Sequence, residues 1–204
     1  MEIGIGMPVA TGIELEGRLA IGQRPEVAII AHPHPEYGGS MDNNVVFAVR
    51  EVAGALGMTT LRFNFRGVGA SSGRYDDGLG EVDDLLVAVE TGRRRAAADC
   101  RVHLVAYSFG AWIAAKAVTR GLRVENLVLI SPPVDFLAFG GLGLPECPCH
   151  VITGAKDEYG SPASVKAWLD RQPEAPELQV VPGADHFYFG MEASLVALLG
   201  GFLS

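Results

Sequence analysis

Short apolar runs that alternate with stretches of helical spacing constrain this chain more than any other feature of its sequence. Segments 26–32 (EVAIIAH), 59–65 (TTLRFNF), 101–107 (RVHLVAY), 125–131 (ENLVLIS), 149–154 (CHVITG) and 178–181 (LQVV) read as strands. Most are continuously apolar, the pattern of a strand buried on both faces. Segments 43–56, 81–97, 109–120, 162–171 and 191–203 carry helical spacing; Val45, Val49, Val52 and Leu56, for example, lie on one helix face. This alternation predicts an α/β fold, a mostly parallel central sheet with helices on both faces. Segment 13–19 (IELEGRL) alternates instead and reads as an antiparallel strand at the N-terminal edge of the sheet. No repeat or linker divides residues 1–204, so one domain is expected. A short insertion at about 132–148 (PPVDFLAFGGLGLPECP) separates two of the strands.

Composition removes several function classes. The formal net charge is −8, and the longest cationic run is Arg93, Arg94 and Arg95. A nucleic-acid-binding face would be basic, so no nucleic acid is expected as a partner. The three arginines fit a solvated helix end, where cations offset the negative end of the dipole. Mean hydropathy is +0.23, yet the longest apolar stretch, 195–203, is interrupted by Gly200 and Gly201. It falls short of the ~20 residues a membrane span needs. The first residues lack the basic and apolar regions of a secretion signal. Three cysteines, Cys100, Cys147 and Cys149, are odd and few, which fits a reducing compartment. A soluble, cytoplasmic protein is expected. Glycine is in excess at 26 residues, where average usage would give roughly 14. Many of these glycines lie in the loops that follow the strands.

In an open α/β sheet, ligands bind beyond the carboxyl ends of the strands, so those loops hold the candidate chemistry. Ala106-Tyr107-Ser108-Phe109-Gly110 runs from a strand directly into a helix. Small residues on either side of the serine relieve crowding at so sharp a turn and leave Ser108 exposed as a nucleophile. The plainer alternative makes Ser108 an ordinary helix N-cap. A serine needs a base, and the base needs an orienting acid. Of the five histidines, His103 and His150 fall within or beside strands, whereas His186 follows the last strand in GADHF. Asp157 follows the strand 149–154 and is the candidate acid. Asp185, adjacent to His186, reads as a loop-forming residue, and Asp135 and Glu158 are weaker rivals. For the oxyanion hole, the backbone N–H groups of Phe109 and His34 are the candidates, with Tyr37 in reserve. Pro33 and Pro35 in HPHPEYGG have no N–H to offer. Tyr37, Phe136, Phe139 and Phe187 are candidate substrate-pocket residues. The apolar side chains of the insertion could equally form an oligomer contact or pack beneath the loop.

With these residues assembled, the chain resembles the α/β-hydrolase superfamily over essentially its whole length. It is most similar to small, lid-poor, dienelactone-hydrolase-like and esterase-like members. The segments HPHPEYGGSMDNNVV, RFNFRGVGASSG, AYSFGA, ITGAKDE and GADHFYFG carry the resemblance. It implies a cofactor-free serine hydrolase, with Ser108 attacking a carbonyl, His186 relaying the proton and Asp157 orienting His186. Dienelactone hydrolases use a cysteine where this chain has Ser108, so that substrate is not carried over. The expected function is hydrolysis of a carboxylic ester or thioester on a small-molecule acyl substrate. An acyltransferase, a peptidase and a non-catalytic binding protein of the same fold are the alternatives.

Two further patterns are set aside. Gly67, Gly69 and Gly73 are spaced one residue too widely for a dinucleotide loop; Arg66, Asp76, Asp77 and Glu81 are expected to pin that loop. Cys147, Cys149 and His150 lack the partners that would complete a metal site, so no metal and no cofactor are expected.

Overall fold

The computed structural model describes residues 1–10, 12–97 and 99–204. Its strands are β1 (Ile3–Pro8), β2 (Glu14–Ala20), β3 (Glu26–Ala31), β4 (Thr59–Phe63), β5 (Arg101–Tyr107), β6 (Asn126–Ile130), β7 (Cys149–Gly154) and β8 (Leu178–Val181). The helices are α1 (Asn44–Ala55), α2 (Gly80–Arg95), α3 (Phe109–Thr119), α4 (Pro162–Leu169) and α5 (Glu192–Phe202). These strands form one sheet in the order β1-β2-β4-β3-β5-β6-β7-β8. From β4 to β8 all neighbours are parallel.

Both faces of the sheet are covered, as the continuous apolar runs require. Along β3, Val27, Ile29 and Ala31 enter one core, with side chains of α2, α3 and α4. Ala28 and Ile30 enter the other, with α1 and α5. This is the period of two that sends successive side chains to opposite faces. Local signals fix the helix starts. The Asn43 side chain accepts a hydrogen bond from the N–H of Val45 at 2.9 Å, and Ser161 caps α4 ahead of Pro162.

The antiparallel N-terminal edge is a pair of strands. The alternating segment 13–19 becomes β2, which lies between β1 and β4 and is antiparallel to both. The outermost strand is therefore β1, which the sequence pattern did not reveal. Gly4 and Gly6 interrupt it, and of its apolar side chains Met7 alone is buried. Glycine is depleted in strands, so the segment carries little strand signal.

The connection from β4 to α2 is tied down from inside. Arg66 forks onto the fully buried Asp84, with Nη2 to Oδ1 at 2.7 Å and Nε to Oδ2 at 3.0 Å. The Arg66 backbone N–H donates to Oδ2 at 3.0 Å. Asp76 is a more distant charge partner of Arg66, 3.7 Å from Nη1, and its Oδ2 accepts the Gly80 N–H at 3.1 Å. Glu81 instead accepts the N–H groups of Asp76 and Gly78, each at 2.8 Å, while Asp77 supplies a left-handed turn residue (φ 50°). Removing one partner of a buried ion pair strands the other charge. Asp84→Ala should therefore lower the unfolding free energy by about 3–5 kcal/mol, read from the shift in urea midpoint at unchanged slope.

Candidate active site

Strand β5 ends at Tyr107 and α3 starts at Phe109, so the chain must turn within one residue, Ser108. It does so at φ 55°, ψ −118°, a conformation that costs a non-glycine residue about 1–3 kcal/mol. The surroundings hold it there. The Ser108 N–H donates to Ile130 O at 2.9 Å, and its carbonyl accepts the N–H of Ala111 at 2.9 Å. Gly110 lets α3 approach the sheet, because a Cβ there would lie 2.7 Å from the carbonyl oxygen of Ala31. The Ser108 hydroxyl caps nothing, which sets aside the plain N-cap reading; Oγ lies 2.8 Å from His186 Nε2.

The other ring nitrogen, Nδ1 of His186, is 2.9 Å from both Oδ1 and Oδ2 of Asp157. With Nδ1–H donating to the carboxylate, Nε2 is free to accept from Ser108. All three residues are buried. Burial pushes the Asp157 pKa up, but the hydrogen bond and charge of His186, with Ser131 and the Gly160 N–H, outweigh it. The carboxyl is held below its ordinary value. Backbone N–H groups of Tyr159 and Gly160 donate to Oδ1 at 3.0 and 2.9 Å. Gly160 fits because a Cβ would collide with the carbonyl of Pro132. The Tyr107 hydroxyl donates to the His186 carbonyl at 2.7 Å and fixes the loop that carries the ring.

The rival acids take other places. Asp185 accepts the N–H groups of Phe187 and Tyr188 at 2.9 and 3.1 Å, a loop-forming role. Asp135 accepts from the Ser161 N–H at 2.9 Å, and Glu158 is exposed. Among the histidines, His103 contacts Asn126 at 3.2 Å and His150 stacks on Phe202.

The loop after β3 is pinned by His32, whose Nδ1 donates to Pro33 O at 2.6 Å while Nε2 accepts the Phe65 N–H at 3.0 Å. His34 Nδ1 accepts the Glu36 N–H at 3.3 Å and starts a single 3₁₀ turn, Pro35–Tyr37. The Tyr37 N–H is engaged by the His34 carbonyl, so it is not a spare donor. Among the described residues, the His34 N–H meets no protein acceptor. Phe109 is the first residue of α3, and its N–H has no acceptor within the helix.

These groups open onto a cleft of about 600 Å³. Ser108, His186, His34 and Phe109 line it, and so do the sequence candidates Tyr37, Phe136 and Phe187. Phe139 does not. It is buried against Trp168 of α4, with ring centroids 5.0 Å apart, because the insertion turns it inward to fill the core. Tyr159 and Phe189 also line the cleft and were missed, since an aromatic in a loop has no period to mark its direction. No cluster of potential metal ligands occurs among the described residues, and none of their helices is long and apolar enough to cross a membrane.

This strand order, with a serine on the turn from β5 to α3 and a histidine on the loop after β8, defines an α/β hydrolase. The chain belongs to the alpha/beta hydrolase family, whose model matches residues 34–146. It is 34% identical over 184 residues to an uncharacterized protein of Rickettsia prowazekii (strain Madrid E), covering 85% of this chain and 77% of that protein. An alpha-beta serine hydrolase homologue from Coxiella burnetii has the same fold at a TM-score of 0.91 and 34% identity. That match covers 99% of this chain and 97% of the other. An α/β serine hydrolase without lid from Xanthomonas campestris also gives a TM-score of 0.91, at 31% identity, covering 99% of this chain and 93% of the other.

Burial lowers the His32 pKa to about 4, against a smaller upward pull from its hydrogen bond to Pro33. The unfolded chain takes up this proton below its ordinary value near 6.5, while the native state refuses it until about pH 4. Stability is therefore complete above pH 6.5 and falls as pH drops toward 4, by up to about 3 kcal/mol from this residue. His32→Gln should flatten the dependence of unfolding free energy on pH across that window, measured by urea denaturation at several pH values.

Proposed function

We propose that the protein is a serine hydrolase that cleaves a carboxylic ester or thioester through an acyl-enzyme on Ser108. The observation that carries this reading is the unbroken line from Ser108 Oγ to His186 Nε2, 2.8 Å, and from His186 Nδ1 to Asp157, 2.9 Å. It is the geometry a hydroxyl nucleophile, its base and an orienting acid require.

In the first step Ser108 Oγ attacks the substrate carbonyl carbon and His186 Nε2 takes the hydroxyl proton. The imidazolium is balanced by Asp157, which stays ionised. The carbonyl oxygen becomes an oxyanion, for which the backbone N–H groups of His34 and Phe109 are the donors. Collapse of this intermediate breaks the bond to the leaving alcohol or thiol, which receives the proton from His186. Water then enters: His186 takes one of its protons, its oxygen attacks the acyl carbon, and the acid leaves as Ser108 Oγ regains a proton. Oxyanion donors matter because they are already oriented when the charge appears.

A fluorophosphonate probe should label the wild-type protein on Ser108 and leave Ser108→Ala unlabelled; equal labelling of the two would overturn the assignment. His186→Ala should stay folded by circular dichroism and lose about 10⁶ in ester turnover, the scale on which removing the base of such a triad acts. The His34 donor can be tested by a pair of variants. His34 sits at φ −57°, which proline adopts without strain. His34→Ala keeps the N–H and His34→Pro deletes it, so the second should fall about 10²–10³ below the first in kcat.

A further inference from the structure

Six rings form a continuous arc around the mouth of the cleft. His34 meets Tyr37 at 4.7 Å between centroids, Tyr37 meets Phe136 at 5.9 Å, and Phe136 meets Tyr159 edge-on at 5.7 Å. From Tyr159 the arc continues to Phe187 at 6.2 Å and to Phe189 at 6.1 Å, with Tyr159 itself 4.8 Å from the His186 ring. These spacings fall in the range at which aromatic rings attract one another. The five rings beyond His34 remain substantially open to water: Tyr37 73%, Phe136 48%, Tyr159 38%, Phe187 45% and Phe189 72% exposed. Large apolar side chains clustered at one exposed place mark a surface that is covered in use.

Size and charge narrow what covers it. A cleft of about 600 Å³ is of small-ligand scale. Among the described residues no lysine or arginine lines it, so no cationic side chain of the lining would pair with a carboxylate or a phosphate on the part of the ligand away from Ser108. Burial lowers the His34 pKa, against the smaller pull of the Glu36 and Asp77 carboxylates, so the second ring at the site is neutral at neutral pH. The Glu36 and Asp77 charges would repel an anion.

We infer that the site takes uncharged esters bearing an aryl group, which lies against this arc while the ester carbonyl sits at Ser108. The inference rests on the reading of Ser108 as the acylated residue and narrows its substrate class. Acyl donors with a carboxylate or phosphates, coenzyme A thioesters among them, are poor substrates. Phe136 and Phe187 each neighbour Tyr159 and determine specificity.

The test reads binding without turnover. Ser108→Ala protein is titrated by calorimetry at low ionic strength with ethyl 3-phenylpropionate, ethyl 3-cyclohexylpropionate and ethyl 3-(4-carboxyphenyl)propionate. The phenyl ester should bind about fivefold tighter than the cyclohexyl ester, the increment of one further ring–ring contact. It should bind at least about tenfold tighter than the carboxylate-bearing ester. Adding Phe136→Ala or Phe187→Ala should bring the phenyl-to-cyclohexyl ratio toward one. Equal affinity for the phenyl and cyclohexyl esters, or tightest binding of the carboxylate, overturns the inference. Turnover of these esters by the wild-type protein is recorded separately. Its absence would count against the hydrolase reading, while the affinities would still decide the preference for neutral aryl groups.

Discussion

The molecule is organised by one reversal of strand order. From β3 the chain crosses to β4 on one side, and from β4 it returns past β3 to place β5 on the other. Neighbouring crossovers must then lie on opposite faces, and the loops leaving β3 and β5 part from each other. A crevice opens between them at the carboxyl ends of the strands. The His34 loop forms one lip and the Ser108 turn the other. Parallel pairing of β6, β7 and β8 brings their following loops to the same edge, which is how residues far apart in sequence come within hydrogen-bond distance.

The floor of that crevice is held by polar groups that are nearly all spoken for. Thr153 donates to the Gly160 carbonyl at 2.8 Å and Ser131 pairs with Tyr188 at 2.9 Å. Together with Tyr107 they fix both loops from below. A buried, hydrogen-bonded carboxylate such as Asp157 is stable only while its donors stay in place, so these neutral groups set the orientation of the His186 ring. The strained Ser108 backbone is offset in the same way, by packing on Gly110 and the bond to Ile130.

The sequence was most informative where a local rule and a functional rule coincided. Ser108 follows a buried strand and precedes a helix, Asp157 and His186 follow strands, and the mostly parallel sheet follows from the apolar runs. It was least informative where direction mattered. Phe136 and Phe139 lie in one short insertion and look alike in sequence, yet one lines the cleft and the other fills the core against Trp168. The loop residues Arg66, Asp76, Asp77 and Glu81 stood out in sequence, yet only the fold shows that the partner of Arg66 is the buried Asp84 of α2. The edge strand β1 is diluted by Gly4 and Gly6, and Tyr159 had no periodic neighbours to mark it.

The aromatic arc and the polar floor are built differently. The floor is a closed set of mutual hydrogen bonds, in which one altered member disturbs the rest. The arc draws Tyr37, Phe136, Tyr159 and Phe187 from four separate loops, and although the Phe136 and Tyr159 loops are joined by the Asp135 N–H donating to the Tyr159 carbonyl at 2.9 Å, the rings themselves hold no backbone in place. Each ring can therefore be exchanged by a change confined to its own loop. The architecture separates what must be conserved together from what can drift alone, and so lets one scaffold diversify its ligand preference in single mutational steps.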